Sequence, residues 1–119
     1  MQTETSVKVE RRSAANASPV SLLRFQGDIT STSKETIVEA HRAVPTGVDK
    51  VIFDFTKVDY LNSGGIAVLI LILMEAYKSG QVIHSVGLSA HFQKVFTMVG
   101  MTKYTRLYSD EASALASFQ

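Results

Sequence analysis

Apolar positions along the chain fall into two rhythms, short alternating or β-branched runs and longer runs with helical spacing. Val7 and Val9 alternate with polar neighbours, and residues 20–26 form a second such run, ended by Gly27 and Asp28. The two predict an opening hairpin of loosely set register, with residues 13–18 between them as the one flexible connection. Thr30, Ser31, Thr32 and Ser33 offer N-cap oxygens to a helix over 33–44, with Ile37, Val38, Ala40 and Val44 on its apolar side. Residues 51–55 are short, β-branched and apolar, which predicts a strand covered on both faces, with a loop after it. A helix over 64–78 follows, then a strand over 81–86 and a helix over 90–99. In that helix Phe92, Val95, Phe96 and Val99 have the i, i+3, i+4, i+7 spacing of one buried face. Residues 104–108 predict a last strand, and Ser109, Asp110 and Glu111 cap a final helix holding Ala112, Leu115 and Phe118.

The expected order is β-β-α-β-α-β-α-β-α. Strands alternating with helices imply right-handed crossovers and an α/β sandwich: about five strands in a mixed, mostly parallel sheet, with about four helices. At 119 residues the chain is expected to form one domain over residues 1–119.

Charge and composition narrow the function. Twelve basic and eleven acidic side chains nearly balance, and the basic ones are scattered, which argues against a nucleic-acid partner. Without cysteine there is no disulfide, thiol chemistry or cysteine-based zinc site. The polar stretch 1–10 does not read as a signal peptide. The longest unbroken apolar run, 66–74, is short of the roughly twenty residues a membrane-spanning helix needs. A cytoplasmic protein without direct membrane insertion is expected.

One segment stands apart. A buried strand runs out into Asp59, Tyr60, Leu61 and Asn62, which deliver Ser63 to the start of a helix. Sites in α/β folds sit at the carboxyl ends of strands, and a helix start carries unpaired N–H groups and a positive dipole end. A phosphate on Ser63 would be tolerated there, and Gly64 and Gly65 would keep side chains away from the hydroxyl. Asn62 and Ser63 are equally good N-caps with no further role. The helix behind them has no polar side over 66–74, so it either shows an apolar patch beside Ser63 or is covered by neighbouring helices or by a second copy in a homodimer.

Catalytic constellations are missing. His41, His84 and His91 fall on different elements, and no metal-ligand spacing links them. No nucleophile elbow precedes Ser63, and no phosphate-binding loop occurs. Asp28, Asp54 and Asp59 are the carboxylates near the loop, and no two of them are marked as an acid–base pair. Neither an enzyme, a bound metal nor a cofactor is expected.

The segment from Asp54 to Ile66 resembles the signature D-[LF]-[ST]-x-V-x-[FY]-[MIL]-[DN]-S-[ST]-G-[LI] of STAS domains in bacterial anti-sigma factor antagonists, with one substitution. Gly27, Asp28, Ile29 and Thr30 are similar to that family's G-E-[LI]-D segment, and residues 92–101 to its V-x-[RK]-[LVI]-[FL]-x-x-x-G-[LM] helix and turn. The likeness covers nearly the whole chain. It departs from the family at three places: Asn62 replaces the common aspartate, Gly64 replaces serine or threonine, and Thr30 stands where the family has aspartate.

The resemblance implies a STAS-like fold and a partner switch. Ser63 would be phosphorylated by an anti-sigma factor that is also a serine kinase, and a PP2C-type phosphatase would reset it. The unphosphorylated chain would bind that kinase and free a sigma factor. Asp28, Thr30, Asn62, Ser63, Gly64, Gly65, Ile66 and Leu69 would form the partner-binding surface. The same resemblance allows a non-catalytic STAS subunit of a membrane transport system, such as a lipid ABC transporter, as an alternative.

Overall fold

The structure, a computed structural model, describes residues 4–118. Expectations for residues 1–3, the start of the predicted non-signal stretch, and for residue 119 lie outside the described residues. The elements in chain order are β1 (Ser6–Ser13), β2 (Pro19–Ile29), α1 (Lys34–Arg42), β3 (Lys50–Leu61), α2 (Ser63–Lys78), β4 (Val82–Val86), α3 (Ala90–Met98), β5 (Thr105–Tyr108) and α4 (Glu111–Ser117). Single 3-10 turns at Ser31–Ser33 and Met101–Lys103 precede α1 and β5. The sheet has five strands in sequence order; β1 is antiparallel to β2, and β2 to β5 are parallel. The mixed α/β sandwich expected from the sequence is the observed fold.

Strand alternation sorts the core into two halves. Leu23, Phe25, Val51, Phe53, Phe55 and Ile83 face α1, α2 and α3, where Phe25 stacks on Phe55 at 4.9 Å and Phe96 of α3 meets Phe55 edge-on at 5.8 Å. Val20, Leu22, Ile52 and Val86 face the other way and are covered by Ala114 and Phe118 of α4. Asp110 caps this short helix by accepting from Ser113 N–H at 2.8 Å.

Three expectations change. The opening hairpin is tighter than predicted: Ser13 pairs with Pro19, so Arg11 and Arg12 lie in β1. Its connection is a hydrogen-bonded turn with Ala14 buried, Ala14 N–H donating to Ser18 O and Ala17 N–H to Ala14 O. The predicted loop after residue 55 is strand, for β3 continues to Leu61 beside the end of β2. In α3 only Phe96 is fully buried; Phe92 and Val95 are half-buried, and Val99, beyond the helix, is exposed. A nine-residue helix at the edge of the layer buries a narrower stripe than its apolar spacing suggests.

The extra length of β3 positions the site. Pairing of β3 with β4 stops at Asp54–Val86, while pairing with β2 runs on to Ile29–Leu61 through two register shifts. The two strands therefore project past the rest of the sheet and bring residues 28–31 and 62–64 to one place.

Candidate functional site

Asn62 holds the start of α2. Its backbone is extended, at φ −103° and ψ 178°, and its Oδ1 accepts from Gly65 N–H at 2.9 Å. Its own N–H donates to the Ile29 carbonyl at 3.2 Å, and its carbonyl accepts from Ile66 N–H at 2.9 Å. A carboxylate would cap equally well, so asparagine keeps the cap and removes a charge.

Ser63 is the first residue of α2 and is exposed, and its hydroxyl has no hydrogen-bond partner among the described residues. Capping belongs to Asn62, which leaves the Ser63 oxygen free at a helix N-terminus.

The two glycines do something other than expected. A Cβ on Gly65 would overlap the Ile29 carbonyl, and one on Gly64 would lie 2.9 Å from Ser31 Cβ and 3.0 Å from its amide nitrogen. They let α2 seat against the end of β2 rather than clearing the way to the hydroxyl. The missing side chain at residue 64 is thereby explained, since the Ser31 backbone occupies its place. Ser31 is a neighbour of the site that sequence reading passed over as one of several N-cap candidates.

Three other residues predicted to touch a partner are buried in the fold. Thr30 is 6% exposed; it caps the 3-10 turn, accepting from Thr32 N–H at 3.3 Å while its own N–H donates to Ser33 Oγ at 2.9 Å. Leu69 is fully buried and Gly65 is buried, because both lie on the side of α2 that faces the sheet with Ile72, Leu73 and Ala76. Ile66 is half-buried. The line that continues from Ser63 along the outer side runs through Ala67, Ile70, Leu71 and Met74, with Leu71 53% exposed. An apolar strip beside Ser63 is thus present, one helical phase away from Leu69.

Asp28 is half-buried, and its carbonyl accepts from the Thr5 hydroxyl. It lines a polar cavity of about 380 Å3 together with Thr5, Thr30, Thr32 and Thr36. Across the projecting strands, a second cavity of about 360 Å3 has Phe55, Val58, Leu61, Leu88 and Phe92 in its wall.

The signature aspartate, Asp54, is buried on the α4 side of the sheet. Arg24 Nη1 donates to its Oδ2 at 2.8 Å, and its Oδ1 accepts from Thr56 N–H at 2.9 Å and the Thr56 hydroxyl at 2.6 Å. Gly87 passes so close to Thr56 that a side chain there would overlap it. Asp54 thus fastens β3 where it leaves the sheet. Arg24 also bridges Glu10 at 2.9 Å, and Arg12 joins Glu10 at 3.0 Å to Glu111 at 2.7 Å. Hydrogen bonds from Arg24 and Arg12 hold the Glu10 carboxyl below its usual range. This network was hidden in the sequence because Arg11 and Arg12 were read outside a strand.

No group of carboxylate or histidine side chains among the described residues could hold a metal ion. His41 bonds Gln81 at 2.7 Å, and His84 meets Ser117 at 2.7 Å while stacking on Phe118 at 4.2 Å. Burial pushes the His84 imidazole below its ordinary value; the Ala114 carbonyl opposes this and Arg106 adds to it. No helix among the described residues is long and apolar enough to cross a membrane.

A sheet with one antiparallel edge, helices on both faces and a serine at the head of the helix after the third strand define a class, and the match to known families agrees. Residues 11–114 match the STAS domain, and the chain belongs to that family. Its fold is shared with an anti-sigma factor antagonist from Mycobacterium paratuberculosis, at TM-score 0.75 and 20% identity over 94% of this chain and 92% of that one. The phosphorylated form of the Bacillus cell fate determinant SpoIIAA aligns at TM-score 0.61 and 15% identity over 91% of this chain and 96% of its own. A sulfate transporter family protein from Wolinella succinogenes aligns at TM-score 0.70 and 14% identity, covering 81% of each chain. No curated protein sequence matches the chain.

Proposed function

We propose that the chain is a phosphorylation-controlled antagonist of an anti-sigma factor. Its unphosphorylated form docks on a partner that is both anti-sigma factor and serine kinase, and the sigma factor is released. Phosphate on Ser63 ends the complex, and a PP2C-type phosphatase restores it. The observation that carries this reading is the free Ser63 hydroxyl, exposed at the N-terminus of α2 and at the head of the apolar strip through Ala67, Ile70, Leu71 and Met74.

A phosphate there adds about −1.5 to −2 charges. The N-terminal amides of α2 accept that charge, so the fold persists, while a partner burying the strip would have to desolvate a dianion. Asp28, Asn62, Ser63, Gly64 and Ile66 contribute the docking rim, with Gly65, Thr30 and Leu69 holding it from beneath. In this scheme the kinase supplies the nucleotide and the catalytic groups, the chain is substrate and ligand, and it works in the cytoplasm.

The test is incubation with ATP and a soluble extract of the source organism, with phosphatases inhibited, followed by phosphopeptide mapping and partner capture. Phosphate is expected on Ser63 and absent from Ser63→Ala, and Ser63→Asp is expected to lose the captured partner. Equal capture by wild type, Ser63→Ala and Ser63→Asp would remove the switch.

The length of the apolar strip favours one second reading, a constitutive STAS subunit in a transport or other signalling complex, or a homodimer closed over α2. Co-purification with an ATPase subunit that is insensitive to Ser63 substitution would select the first of these.

A further inference from the structure

The opposite edge of the sheet has a different chemistry. Because β3, β4 and β5 are parallel, Val82 and Thr105 open β4 and β5 at the edge away from Asn62. A cleft of about 500 Å3 lies there, with Tyr77, Gln81, His84, Lys103, Tyr104 and Arg106 among the side chains in its wall and no acidic residue. Arg12 and Arg24 are each bridged to more than one carboxylate, whereas Lys103 and Arg106 are exposed and make no ion pair among the described residues. Lys103 Nζ stands 5.6 Å from the Tyr104 ring centre, and Tyr77 meets Tyr104 edge-on at 5.5 Å.

Uncompensated cations around one cleft are satisfied by an anion, and a guanidinium presents the paired donors that suit a phosphate. Two adjoining aromatic rings offer a flat apolar surface to whatever the phosphate is attached to.

We propose that this cleft binds a small phosphate monoester, its oxyanion held by Arg106 and Lys103 and its organic part laid against Tyr77 and Tyr104. The site is separate from Ser63 and does not depend on the function proposed for it.

The test is a titration of the 15N-labelled full chain with phenyl phosphate and with inorganic phosphate, at ionic strength held constant with sodium chloride. Saturable amide shifts are expected over residues 80–84 and 102–106, with phenyl phosphate binding at least tenfold more tightly than phosphate. Arg106→Gln and Lys103→Gln, both at exposed positions, should each weaken binding about tenfold and leave the remaining spectrum in place. Ser63→Ala should bind like wild type. Shifts reproduced by sodium chloride alone, or undiminished in Arg106→Gln, would overturn the site. Equal affinity for the two probes would overturn the assignment to a monoester.

Discussion

The two faces of the sheet are closed in different ways. On one, three helices bury Phe25, Phe53, Phe55 and Phe96 in a continuous apolar layer. On the other, one seven-residue helix covers a small cluster, and the rest of the closure is the charged network of Glu10, Arg12, Arg24, Asp54 and Glu111. Dispersion and burial act all over the first face, while the second depends on a few paired charges with about 28% exposure at both arginines. The first face therefore carries most of the stability, and α2, which bears Ser63, is anchored in it. The second face sets the geometry of β3 through Asp54.

That comparison can be broken at several points. The largest effect is expected for Phe53→Ala, about 3–5 kcal/mol in chemical denaturation, because three other rings lose contact around a fully buried site. Phe118→Ala on the α4 face should cost less, about 1–2 kcal/mol, since a short terminal helix relaxes around the gap. An equal loss in the two variants would sink the ranking of the faces. Gly65→Ala should follow at about 1–3 kcal/mol, as the backbone of Ile29 must yield; amide shifts at residues 28–31 would report the displacement.

Smaller effects sharpen the picture of the site. Asn62→Ala should lose about 1 kcal/mol and Asn62→Asp almost nothing, if the side chain acts as a cap. Ser63→Ala should stay within about 0.5 kcal/mol of wild type, because its hydroxyl holds nothing. On the α4 face, His84 gives a signed pH dependence. The folded imidazole resists protonation, so the unfolded chain takes up its proton first as pH falls through the ordinary value of 6.5. Its contribution is complete above that pH and is lost below it, down to the lowered folded value. Thermal melts should show a smaller drop on acidification for His84→Phe than for wild type.

Much of this was legible along the chain. Element order and sheet class followed from periodicity, because each buried strand or helix had a pattern long enough to read. Ser63 was legible from its place between a buried strand and a helix. What escaped were features set by partners distant in sequence. Residues 56–61 are mostly exposed, so no hydrophobic pattern marks them as strand; pairing with β2 makes them one. Arg12 and Arg24 meet Glu111 only after the sheet and α4 have assembled. The burial of Leu69 depends on the rotational phase of α2, which a run apolar on all sides conceals until the tertiary contacts fix it.

The split between Asn62 and Ser63 has a consequence for how such a protein can change over generations. The cap that secures α2 and the hydroxyl open to chemistry are neighbouring but separate residues. A lineage could therefore acquire, alter or discard the hydroxyl without first rebuilding the helix start, and selection on regulation would act independently of selection on folding.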